Sequence, residues 1–210
     1  MSAIIDICNL ALSRVGAARI QSLDDNTKAA RECTTILPFS RDAVLRSYDW
    51  AFARKRLDLA LLDETVTGFD YIYKYPTDCI CIRKITDING AMTSIVWDWN
   101  TQKYVSSGKI KYEIGVSSDL NTNVVLTNTE LAELVYTARV TNANLYDSLF
   151  VEALAWKLAA DLAMPLLNKP EVQGAFYKNF LFAVSQAQVV SANEEEIKVD
   201  DSCSFLKARL

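Results

Sequence analysis

The period of the hydrophobic pattern changes twice along this chain, and that double change restricts the folds open to it. Before about residue 65 and after residue 141, apolar residues recur every three or four positions; between those points they alternate. Ile5, Cys8, Leu12 and Val15 share one face of a helix over residues 3–15, and Gly16 is placed to stop it. A longer helical stretch carries Ala30, Cys33, Leu37, Val44 and Tyr48 on its stripe, with Asn26 as the expected N-cap. Pro38 interrupts the stripe and predicts a kink or two separate helices. Trp50 and Phe52 follow as aromatic core anchors. Arg54, Lys55 and Arg56 then read as cations at a helix C-terminus, where the helix dipole favours them.

From Gly68 the pattern becomes that of short strands. Phe69, Tyr71, Tyr73 and Tyr75 give one strand an aromatic face, and residues 79–85 read as the next. Asn89-Gly90 is a hairpin signal, followed by alternation at Ile95, Trp97 and Trp99 and a short strand around Tyr104. Further strands are expected at Ile110–Ile114, Asn123–Leu126 and Leu134–Val140, making a small antiparallel sandwich or open barrel. Helix returns at Asn144, read as an N-cap with Asp147 three residues on. Leu149, Ala153, Trp156 and Ala160 line one side and Phe150, Leu154, Leu158 and Leu162 the other, so this helix should be buried between neighbours. Pro165 is expected to end it and Pro170 to open another, whose stripe is Phe176, Phe180, Val184 and Ala187. The expected fold class is α+β: a helical bundle from residues 1–65 and 142–190, an inserted β-rich module at 66–141, and an extended arm at 191–210. Its core anchors are Trp50, Phe52, Trp156, Phe176 and Phe180.

The arm begins where helical periodicity stops. Glu194-Glu195-Glu196 and Asp200-Asp201 precede an apolar and basic end, Phe205, Leu206, Lys207, Arg209 and Leu210. Those five residues are the candidate docking set of an arm that orders on a partner.

The chain contains no histidine. Serine–histidine and cysteine–histidine triads, histidine acid–base work and histidine zinc ligation are therefore closed to it. Its five cysteines are scattered, and Cys79-x-Cys81 lacks the spacing of a zinc or redox site, so they read as small buried hydrophobes in a reducing compartment. Six glycines and no glycine-rich loop leave no nucleotide-phosphate fingerprint. Paired carboxylates, Asp63 with Glu64 or Glu130 with Glu133, are the remaining catalytic device, but nothing in the sequence places one in an apolar pocket. No catalytic residue, cofactor or metal is expected. The formal net charge of −4 argues against a dedicated nucleic-acid binder. Residues 145–167 carry Asp147, Glu152, Lys157 and Asp161, and the N-terminus lacks a basic leader; a soluble intracellular product is the expectation.

Several phrases, taken in order, resemble one family. They are residues 7–16 (ICNLALSRVG), 37–46 (LPFSRDAVLR), 50–53 (WAFA), 73–76 (YKYP), 136–141 (YTARVT), 150–155 (FVEALA) and 158–163 (LAADLA). Together they resemble the head-to-tail adaptor proteins of tailed bacteriophages, the family of the tail tubular protein A of short-tailed phages. That resemblance implies a virion structural protein without enzymatic activity, forming a ring, dodecameric in this family, between the portal protein and the tail tube or nozzle. It also implies that the C-terminal arm reaches the portal and that the ring extends the DNA channel. The acidic balance suits DNA that slides through without specific binding. The competing readings are a tail-associated, carboxylate-based cell-wall hydrolase and a generic interaction module unrelated to virions.

Overall fold

The computed structural model describes residues 4–87, 95–98, 103–106, 110–119 and 121–194. The fold is α+β, with four α-helices and small antiparallel sheets among the described residues. Helix α1 (Ile4–Val15) ends at Gly16, whose φ of +77° is the left-handed conformation that glycine adopts without strain. Helix α2 (Lys28–Ser47) is capped by Thr27, whose hydroxyl accepts from the Ala30 N–H at 3.2 Å, so the cap falls one residue after Asn26.

Two separate helices, one of the outcomes expected at Pro38, do not occur, because α2 runs as one element through it. Packing on both sides of the proline holds the helix together. Ala30 and Cys33 are buried with Leu158 and Leu162, while Val44 and Leu45 are buried with Phe150 and Leu154. Between them Ser40, itself buried, donates to Asp161 at 2.6 Å, and Lys157 bonds the same carboxylate.

A 3₁₀ turn at Ala51–Ala53 then leads directly into strand β1 (Arg54–Asp58). Arg54, Lys55 and Arg56 are therefore strand residues and not the end of a helix. The turn redirects the chain, and the run Arg54-Lys55-Arg56-Leu57-Asp58 pairs in register with a later strand.

Strands β2 (Tyr71–Lys74), β3 (Cys79–Asp87), β4 (Ile95–Asp98), β5 (Lys103–Ser106), β6 (Tyr112–Val116), β7 (Asn123–Thr127) and β8 (Ala132–Ala138) follow. One sheet has the order β1-β8-β3 and another β2-β7-β6, both antiparallel; β4 and β5 form a separate two-stranded ladder. The two three-stranded sheets share a core. Tyr73 and Val125 come from one, and Ile82, Ile85, Leu134 and Tyr136 from the other. The Asn89-Gly90 turn and the side chains of Trp97 and Trp99 lie outside the described residues.

Helix α3 (Ser148–Leu167) starts three residues later than expected, with Asp147 instead of Asn144 as its cap, accepting from the Leu149 N–H at 3.3 Å. Asn144 sits instead in a 3₁₀ turn capped by Asn142. Pro165 does not end α3. It lies in the last turn, and Asn168 terminates the helix in the left-handed region with its N–H bonded to Met164 O. Helix α4 (Pro170–Glu194) opens on its proline as expected and continues three residues beyond Ser191. Helix α3 packs against each of α1, α2 and α4, which explains why it is apolar on two sides. No helix among the described residues is long and apolar enough to cross a membrane.

Candidate assembly surface

Three of the five aromatic anchors are half-buried and two are fully inside. Trp50 is 2% exposed and its indole N–H donates to Val44 O at 2.9 Å, which ties it to the last turn of α2. It meets Tyr48 and Phe150 edge-on at 5.1 Å each. Phe52 is half-buried and adds contacts to Phe150 and Tyr146, so the exit of α2 and the entry of α3 are joined by aromatic rings. Phe180 is buried on α4, whereas Phe176 is half-buried against Trp156 at 5.9 Å. Trp156 also carries the Arg14 guanidinium 3.8 Å above its ring, and Glu152 accepts from both Arg14 and the indole. The docking set Phe205, Leu206, Lys207, Arg209 and Leu210 lies outside the described residues.

The surface that the sequence reading passed over is the outward side of α4. Tyr177, Leu181, Phe182 and Val189 all face solvent there, with Leu181 51%, Phe182 64% and Val189 64% exposed. Their spacing of four and seven residues puts them on adjacent ridges of one helix. In 25 residues α4 has only three charges, Glu171, Lys178 and Glu194. A helix with one buried side ordinarily carries a charged outer face. The scarcity of charge was legible in the sequence, but the stripe Phe176–Ala187 accounted for only the buried side. Beside this surface a groove of about 270 Å³ opens between α3 and α4, lined by Glu152, Trp156, Asn179, Phe182, Ala183 and Gln186. These apolar side chains share the exposed side of α4 with Lys178, Asn179, Ser185, Gln186 and Gln188.

Neither a family model nor a curated protein matches this chain.

The carboxylates are arranged as anchors. Glu64 accepts from the Ser117 hydroxyl at 2.7 Å and the Ser118 N–H at 3.1 Å, and those bonds hold its pKa below the ordinary value. That is the opposite of the shift a general acid needs. Glu133 accepts from Thr86 at 2.8 Å and contacts Arg56 at 3.4 Å. No group of three His, Cys, Asp or Glu side chains among the described residues could hold a metal ion. Cys8 and Cys33 are both buried, and the bond to Cys33 together with burial pushes the Cys8 thiol up, away from the reactive thiolate.

Asp78 is another well-connected acid of the β part. It accepts from Lys55 and from the Tyr136 hydroxyl, each at 2.9 Å, with the Lys55 ammonium 6.0 Å from the same tyrosine ring. Burial, followed by the bond to Asp78, pushes Tyr136 up to about 12. Burial alone would raise Asp78, but the bonds from Lys55 and Tyr136 outweigh it and hold the carboxyl below its ordinary 3.8. A depressed folded-state pKa contributes stability that is present above 3.8 and is lost as pH falls through the lower folded value. Asp78→Asn should therefore unfold at a lower denaturant concentration than wild type at neutral pH. The gap should close as pH falls below 3.8 and through the lower folded-state value at which Asp78 protonates, as measured by urea titrations at successively lower pH.

Proposed function

We propose that this chain is a head-to-tail adaptor of tailed bacteriophages. In this reading it is a structural protein of the virion, assembled in the host cytoplasm into a dodecameric ring between the portal protein and the tail tube or nozzle. The ring extends the DNA channel, and DNA crosses it without specific binding. The helices act as a bundle domain that carries a β module, and the C-terminal arm meets the portal.

The observation that carries this reading is the group of exposed apolar side chains on the sparsely charged helix α4, Tyr177, Leu181, Phe182 and Val189, in a chain whose sequence phrases follow the adaptor order. A ring needs a head-to-tail contact between two different patches of one subunit, and a rigid helical face is suited to supply one of them. The paired-acid alternative gains nothing from Glu64, which is held ionised on a surface loop.

Electron microscopy and mass measurement of the purified chain mixed with its cognate portal test the reading. A closed ring stacked on the portal is the expected result; the absence of both ring and portal complex rejects it. Removing residues 195–210 should leave the thermal midpoint within a few degrees of wild type, because α4 ends at Glu194, yet weaken portal capture. Portal capture at full strength after that truncation removes the arm from the proposal.

A further inference from the structure

We propose that the outer face of the β1-β8-β3 sheet holds a phosphate-binding cleft. The cleft has a volume of about 290 Å³ and is lined by Asp49, Arg54, Arg56, Arg83, Lys84 and Val135. Four cationic side chains thus surround one carboxylate, in a chain whose overall charge is negative.

The fold builds this arrangement from strand register. Arg56 on β1 and Lys84 on β3 are both cross-strand partners of Val135 on the central strand, so the two cations flank it on one face. Arg54 is opposite Thr137, one pleat along the same face. The register of β3 shifts between Ile82 and Lys84, and this bulge lets two consecutive residues, Arg83 and Lys84, both line the cleft. Arg83 is fixed in place. It donates to Thr137 Oγ1 at 2.7 Å and to the carbonyls of Leu45 and Tyr48, the last at 2.5 Å, where α2 ends.

One oxyanion already occupies part of the cleft. Asp49 accepts from Arg54 at 2.9 Å, while its other oxygen lies 3.7 Å from Arg83. That second oxygen is buried and accepts no hydrogen bond among the described residues. Arg83 is therefore only loosely neutralised. The contact of Arg56 with Glu133 is also long, at 3.4 Å, and Glu133 is shared with Thr86. Lys84 is exposed and has no ion pair among the described residues. Two guanidinium groups and an ammonium converging on an open cleft match the several acceptor oxygens and negative charge of phosphate. The site takes inorganic phosphate or the phosphodiester groups of a nucleic-acid backbone, which share that chemistry. The inference does not depend on the adaptor reading.

Arg56→Ala with Lys84→Ala tests it, because both side chains are exposed and neither anchors the sheet. Calorimetric titration with inorganic phosphate at constant ionic strength, chloride replacing phosphate in the control, should show saturable binding by wild type. The double variant should bind at least tenfold more weakly with an unchanged thermal midpoint. A short DNA duplex forms the second arm. Duplex binding that the double variant loses assigns the site to a phosphodiester backbone, and phosphate binding without duplex binding assigns it to free phosphate. The proposal is overturned if wild type binds neither probe beyond the chloride control, or if the double variant binds as tightly as wild type.

Discussion

Trp50→Ala should destabilise the fold by about 3–5 kcal/mol, as expected for removing a buried tryptophan that leaves a cavity. Trp50 is 2% exposed, and its ring closes the space between the last turn of α2 and the first turns of α3. Three losses combine in the substitution: the buried apolar area, the edge-on contacts with Tyr48 and Phe150, and the hydrogen bond to Val44 O. Trp50→Phe keeps most of the area and loses the bond, so its cost should be clearly smaller, about 1–2 kcal/mol. Urea denaturation followed by circular dichroism measures both. A Trp50→Ala cost below about 1 kcal/mol would mean that the ring is not an anchor.

The second large effect belongs to assembly. Leu181→Glu combined with Phe182→Glu should abolish self-association and leave the monomer folded. Both side chains face solvent in the single chain, so the charges meet no desolvation penalty until a partner covers them. Burying either apolar side chain at an interface is worth about 1.5–3 kcal/mol, so losing both weakens association by roughly two to four orders of magnitude. Analytical ultracentrifugation or mass photometry, with and without portal protein, reads the outcome. If the double variant still forms the wild-type oligomer, α4 is not the contact. If wild type forms no oligomer under any condition, the adaptor reading itself is at risk.

How much could be read in advance differed between helix and strand, and between buried and exposed surface. Most of the stripes of α1 and α4 was legible because one face of a helix repeats at a fixed spacing; Cys8, Leu12 and Val15 are buried as expected, while the buried isoleucine of α1 is Ile7 and not Ile5. The uninterrupted run of α2 through Pro38 was not legible, since it depends on contacts with Phe150, Leu158 and Asp161, more than a hundred residues away. Arg54–Arg56 were misplaced for a related reason. A charged run has no hydrophobic period, and only pairing with β8 makes it a strand. The same register builds the cationic cleft, because Arg56 and Lys84 become neighbours only across Val135. The outer face of α4 was visible as a shortage of charge but not as a surface until its buried side was known.

The pairing of β1 with β8 also bears on how this architecture tolerates change. The chain enters the β part along β1 and leaves it along β8, and these antiparallel strands hydrogen-bond side by side, Arg54 opposite Thr137. Neighbouring strands lie only about 5 Å apart, so the doorway to the helices stays narrow whatever lies beyond it. The β2-β7-β6 sheet can then vary with little effect on how α2 sits against α3, whereas β3 cannot, because Arg83 and Ile80 tie it to α2. Such a clasp lets the distal strands vary while the helical frame keeps its dimensions.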